Sequence, residues 1–175
     1  MNSSRHRHPA CLGLPVLAVS LIAVAGCSSA DDGGSAAVPS PSPDAAVTKL
    51  CRNLDESLPK KVDGESRRDP EPASALTAGW GSPAIILRCG VAQPPKMIDP
   101  GVAEGRDADA VAGAVNGVDW LMEKREDGSY RFTTANRSAY VEVTVSEGRA
   151  REDTSAILVG LAPAIKKAIP EGIAS

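Results

Sequence analysis

A chain of 175 residues with a formal net charge of −3 is long enough for one modest core, and only five of its side chains are aromatic. Its basic residues are scattered, no run being longer than a pair such as Arg67-Arg68 or Lys166-Lys167, so nucleic acid finds neither a charged track nor a stacking platform.

The chain opens with Arg5 and Arg7, then runs apolar from Leu12 to Ala25 and closes on Val24-Ala25-Gly26-Cys27. A charged start, an apolar stretch, small residues and a cysteine together read as a lipoprotein signal. From Cys11 to Ala25 the run has 15 residues and contains Gly13 and Pro15, whereas a spanning helix needs about 20 apolar residues. The alternative is an ordinary secretory signal in which Cys27 is incidental. Val24, where Leu is commoner, departs mildly from the lipoprotein pattern. The expectation is that residues 1–26 are removed and Cys27 is lipidated. Two acyl chains anchor stably where one does not, so the partner implied is the lipid bilayer, and the address is the outer face of the cytoplasmic membrane.

Losing Arg5 and Arg7 leaves 17 basic against 22 acidic side chains, a net charge of −5. His6 and His8 leave as well, so the mature chain has no histidine. Ser-His and Cys-His dyads and histidine-based zinc sites are thereby excluded. No catalytic residue, metal or cofactor is assigned, and an enzyme is not expected.

Residues 27–44 are small, polar and proline-rich, ending in Val38-Pro39-Ser40-Pro41-Ser42-Pro43. Such sequence reads as a tether, flexible in its Gly/Ser half and extended in its proline half. Residues 45–175 then form a single domain. With Cys11 removed and Cys27 acylated, Cys51 and Cys89 remain, and in an exported protein such a pair reads as a structural disulfide. Asp44 caps an expected helix over Ala45–Leu58, with Val47, Leu50, Cys51, Leu54 and Leu58 on one face and Pro59 ending it. Lys60–Pro72 reads as an exposed loop. Ala73–Trp80 is ambiguous between strand and helical turn.

Ala84–Val91 is a β-branched strand whose alternation puts Ile85, Leu87 and Cys89 on the face covered by the first helix, and Ile86, Arg88 and Gly90 on the other. Pro94 to about Ala114 reads as a loop. Val118–Lys124 and Tyr130–Thr134 are expected strands joined at the Asp127-Gly128 turn. Ala139–Val145 alternates Val141, Val143 and Val145 against Tyr140, Glu142 and Thr144. A last helix runs from Asp153 or Thr154 to Ile169, with a kink or break expected near Gly160 because Pro163 lies inside it. The fold class is α+β, a two-layer sandwich. Its antiparallel sheet would have four or five strands, with the N-terminal and C-terminal helices on one face.

The lipoprotein signal and early helical Cys51 stand with Trp80-Gly81-Ser82-Pro83, Leu87-Arg88-Cys89-Gly90, Val118-Asp119-Trp120-Leu121, Arg131-Phe132-Thr133-Thr134 and Tyr140-Val141-Glu142-Val143. Together they resemble the lipoprotein family known as domain of unknown function 3515, of high-GC Gram-positive bacteria. The resemblance covers nearly the whole mature domain. It implies an exported, lipid-anchored protein without an established activity or ligand, and it supplies no catalytic residues.

Arg88 is the first candidate binding residue, a charge within an apolar strand. It contacts an anion on the open sheet face, with Arg131 or Arg137 nearby, or it pairs with a strand neighbour such as Asp119 or Glu142. Trp80 and Trp120 either line a groove with it or belong to the core. Glu104, Asp107 and Asp109 lack the ligand spacing of a calcium loop and read as a solvated acidic segment. Asn136-Arg137-Ser138 matches a glycosylation sequon by chance. The function expected is a non-catalytic binding or accessory module of the cell envelope, with an envelope protein as partner. The rivals are a small-ligand-binding lipoprotein and a hydrolase using Asp119 with Glu142 or Glu123.

Overall fold

The computed structural model describes residues 37–174. The expected signal over residues 1–26, Cys27 and the first part of the tether lie outside the described residues.

Helix α1 covers Ala45–Ser57 and starts as the sequence requires: Asp44 Oδ1 accepts from the N–H groups of Ala46 and Val47 at 2.7 and 2.9 Å. The helix ends before Pro59, and its Val47, Cys51 and Leu54 are buried. Strands β1 (Lys61–Val62) and β2 (Glu65–Ser66) follow as a small hairpin, then β3 (Thr77–Trp80) and β4 (Ile85–Cys89). A 3-10 turn at Pro95–Ile98 leads into the short helix α2 (Pro100–Ala103). Three consecutive strands come next, β5 (Ala110–Val115), β6 (Val118–Lys124) and β7 (Tyr130–Ala135), followed by β8 (Val141–Val145). Two helices close the chain, α3 (Glu147–Ala150) and α4 (Ser155–Ala168).

The fold is α+β. Its main sheet is antiparallel with strand order β3-β4-β8-β7-β6-β5. That is six strands where four or five were expected, because β5 forms from sequence read as loop. Ala110–Val115 is small and weakly β-favouring, but Asn116 and Gly117, both at positive φ (49° and 76°), make the tight two-residue turn that pairs Val115 with Val118. The Lys60–Pro72 loop is likewise corrected: Asp63 and Gly64 make the same turn between β1 and β2, and Val62 is buried.

One face of the sheet carries the main core. Ile85, Leu87 and Cys89 of β4 and Val141, Val143 and Val145 of β8 join Cys51 and Leu54 of α1. Ile157, Leu161 and Ile165 of α4 complete it. Each of the Val, Leu and Ile side chains among them contributes about 1.5–3 kcal/mol on burial. The Cys51–Cys89 disulfide, with Cα atoms 5.6 Å apart, fastens α1 to β4 across this core. On the opposite face, Met97 and Val102 cover only Ala110 and Leu121, leaving the β4-β8-β7 part of that face open.

Two further expectations need correcting. Helix α4 continues unbroken across Pro163. Proline leaves the carbonyl four residues earlier without its helical donor, and that carbonyl, Val159 O, receives Asn116 Nδ2 at 3.4 Å. The proline half of the tether, where described, lies on the domain: Val38 is buried and donates its N–H to Glu71 O at 3.2 Å. Pro43 seats on Gly90, where an added Cβ would come within 2.6 Å of its ring.

Candidate functional site

Because Ile85, Leu87 and Cys89 face the core, alternation turns Arg88 to the open face. The same rule puts Glu142 of β8, Arg131 of β7 and Glu123 of β6 on that face. The register sets Arg88 opposite Glu142 and Glu123 opposite Arg131. The result is a ladder of alternating charge across four strands.

Arg88 donates from Nε and Nη2 to Glu142 Oε1 at 2.9 and 2.7 Å. Arg131 grips Glu123 with both arms, Nε to Oε2 and Nη2 to Oε1, each at 2.8 Å. Its Nη1 lies 4.0 Å from Glu142 Oε2, which links the two pairs. The Glu123 hydrogen bond is the main cause that raises the Arg131 guanidinium further above its already high value. Both carboxylates are 5% exposed, whereas the Arg88 and Arg131 side chains keep 31% and 25% of their surface in solvent. Within the ladder, the groups most open to solvent are therefore the guanidiniums.

Two adjoining clefts lie over the ladder and share Arg125, Asp127 and Arg131. One, of about 700 Å³, also reaches Lys96, Asp109 and Glu123. The other, of about 170 Å³, reaches Arg88, Glu142 and Thr144. A separate cleft of about 470 Å³ lies where Pro39–Asp44 passes Arg88 and Tyr140.

The structure does not bring Trp80 and Trp120 to Arg88. Both are buried, at 0% and 1% exposure, in the core on the helix side of the sheet. The reason is parity: Trp80 pairs with Ile85, and Trp120 shares its face of β6 with Val118 and Met122, all opposite Arg88. As candidate binding residues they are corrected to core residues. Trp80 Nε1 donates to Pro59 O at 3.0 Å, whereas the Trp120 indole N–H has no partner among the described residues.

Arg137 is also absent from the open face. It is buried and donates to the carbonyls of Ile169 and Gly117 at 3.0 and 3.1 Å. Asp119 accepts from Asn136 Nδ2 at 2.9 Å and lines a different cleft, with Gly117 and Glu171, from those of Glu123 and Glu142. Asp107 takes Lys96 Nζ at 2.9 Å, which is the first cause holding its carboxyl below the usual range. Glu104 takes Arg106. Among the described residues, no group of three His, Cys, Asp or Glu side chains is arranged to hold a metal ion.

The sequence reading missed Arg125 and Lys96 as cleft residues. They sit in a turn and a 3-10 segment, where no periodicity fixes direction. The Arg131–Glu123 pair was within reach, since the Asp127-Gly128 turn implies a hairpin whose register places these two residues opposite each other.

No curated protein and no solved structure matches the chain. Over residues 12–174 it matches the family described as Protein of unknown function (DUF3515), and the chain belongs to that family.

Proposed function

We propose that this protein is a lipid-anchored, extracytoplasmic lipoprotein whose domain serves as a non-catalytic binding or accessory module of the cell envelope. The anchoring half rests on the sequence: Arg5 and Arg7, the apolar run, and Ala25-Gly26-Cys27. Among the described residues, no helix is long and apolar enough to cross a membrane. Cys27 carries the acyl chains, and the sheet with its helices reads as two layers. The open layer faces a partner.

One observation carries the binding half, the Arg88–Glu142–Arg131–Glu123 ladder beneath an open cleft. Its carboxylates accept from guanidinium groups instead of facing each other across a substrate gap. A two-carboxylate hydrolase needs an acid and a base that converge on one bond, and Asp119 lines a different cleft from either glutamate. Small-ligand binding keeps one observation in its favour, the cleft beside Arg88 and Tyr140.

A native mass spectrum of the protein extracted gently from its own membranes tests the reading, repeated on an Arg88→Glu, Arg131→Glu variant. The expected species begins at Cys27, carries acyl chains, and holds a second protein that the variant releases. An unmodified Cys27 removes the anchor. A lipidated chain indifferent to both substitutions removes the ladder as the binding surface, and a bound small molecule moves the assignment to the Tyr140 cleft.

A further inference from the structure

We propose that the free edge of β5 is a self-association surface, where two copies of this chain pair antiparallel and join their sheets into one. β5 and β3 are the two edge strands of the main sheet. The β3 edge is closed, because Arg67 bridges Trp80 and the Arg68 N–H donates to Gly79 O at 2.8 Å. The β5 edge is not.

Which backbone groups face outward follows from the register. A two-residue turn makes Val115 and Val118 a hydrogen-bonded pair, and the Lys124 N–H bond to Asp109 O at 2.8 Å confirms the phase. Asp109, Val111, Gly113 and Val115 therefore face β6, and Ala112 and Ala114 direct their N–H and C=O groups outward. Among the described residues, nothing bonds to those outward groups. Edge strands are normally blunted by charge, proline or a bulge. Ala110–Val115 has no charge and no proline, and its pairing with β6 runs through six residues without a bulge.

The strand's own sequence names the occupant. A two-fold axis normal to the sheet pairs residues of like parity. With the axis at Gly113, Val111 meets Val115 of the second copy, and Ala112 and Ala114 exchange backbone hydrogen bonds with Ala114 and Ala112 of that copy. Val111 is 52% exposed, and Val159, tied to this end of the sheet through Asn116, is 47% exposed. Asp109 lies on the open-face side beside Lys96, so no acidic side chain opposes the pairing on the helix side of the seam. The valine contact forms twice. A foreign strand satisfies the backbone alone, whereas self-pairing supplies both valine contacts as well.

The test uses the full chain in mild detergent. Gly113→Cys places two thiols across a non-hydrogen-bonded pair, where Cα atoms lie about 4.5 Å apart, within disulfide range. The new side chain displaces only the end of Met122. The expected result is a native mass twice that of one chain and a reducible covalent dimer in Gly113→Cys, absent from the parent chain. Ala112→Pro, which removes only an outward N–H, weakens dimerisation by about tenfold or more. Val111→Lys serves the same purpose should the proline variant not fold. A monomer at every concentration overturns the proposal. So does a dimer that survives both substitutions, and so does a Gly113→Cys adduct with a different protein.

Discussion

The two long helices cover the same sheet face but are fastened to it by opposite means. α1 is fixed covalently at its middle, through Cys51 to Cys89 of β4. α4 has no covalent tie, and polar side chains join it to the turns that follow β5 and β7. Arg137 reaches Ile169 O and Gly117 O, Lys166 Nζ donates to Asn116 O at 2.8 Å, and Asn116 Nδ2 approaches Val159 O. A disulfide acts mainly on the unfolded chain by closing a loop. A polar clamp acts only in the folded state, and of its contacts only the Arg137 bond to Ile169 O is buried away from water. The comparison teaches that apolar burial places both helices, while their ends are held by chemistry specific to each.

The largest effect should come from removing the covalent tie. On the chain-entropy picture a loop of this length contributes about 4 kcal/mol, so the double variant Cys51→Ala, Cys89→Ala should lose most of that in urea unfolding. A loss under about 1 kcal/mol would show that burial alone fixes α1. Replacing Arg137 by Met should come next, at about 1–3 kcal/mol, because the buried Ile169 carbonyl loses its donor while the Gly117 carbonyl turns to water. That variant breaks the comparison in the other direction. If it melts like the parent chain, α4 is held by its apolar stripe and the clamp is ornament.

The two fastenings also differ in how far the sequence disclosed them. The disulfide followed from elimination among four cysteines, and the apolar stripe of α1 showed that Cys51 faces inward. Alternation placed Ile85, Leu87, Val141, Val143 and Val145 in the core and Arg88 and Glu142 on the open face. The clamp was invisible, because Arg137 and Asn116 lie in turns and act on carbonyls of Ile169 and Val159, far along the chain from either. β5 escaped for a different reason: six small residues carry no alternation, and only the Asn116-Gly117 pair marks the hairpin. Trp80 and Trp120 show the limit on the site, since a tryptophan on a strand has either face open to it until its register is known.

A smaller test isolates one contact of the clamp. Pro163 denies Val159 O its helical donor, and Asn116 Nδ2 stands in at a long 3.4 Å. Asn116→Gly should therefore cost only about 0.5 kcal/mol, near the low end for a hydrogen bond, while leaving a turn that accepts positive φ. In a Pro163→Ala background the helix regains its own donor, and the cost of Asn116→Gly should fall toward zero. Equal costs in both backgrounds would mean that Asn116 serves the turn and not the helix.

The smallest effect sharpens the comparison at the other end of α4. Asp153 Oδ1 accepts from the Ser155 N–H at 2.8 Å and its Oδ2 from Ser155 Oγ at 2.9 Å. The backbone bond is the leading cause that holds the Asp153 carboxyl below its ordinary 3.8. A carboxylate depressed by folding stabilises fully above its unfolded value, and that contribution fades as pH falls through the folded one. The N-terminal turn of α4 should therefore loosen only below pH 3.8, and Asp153→Asn, which keeps an acceptor without the charge, should flatten that dependence. Carbon-detected NMR titration of the Asp153 carboxyl reads the midpoint directly. A midpoint at or above 3.8 would leave α4 without a charged cap at its start, fastened by the Arg137 end alone.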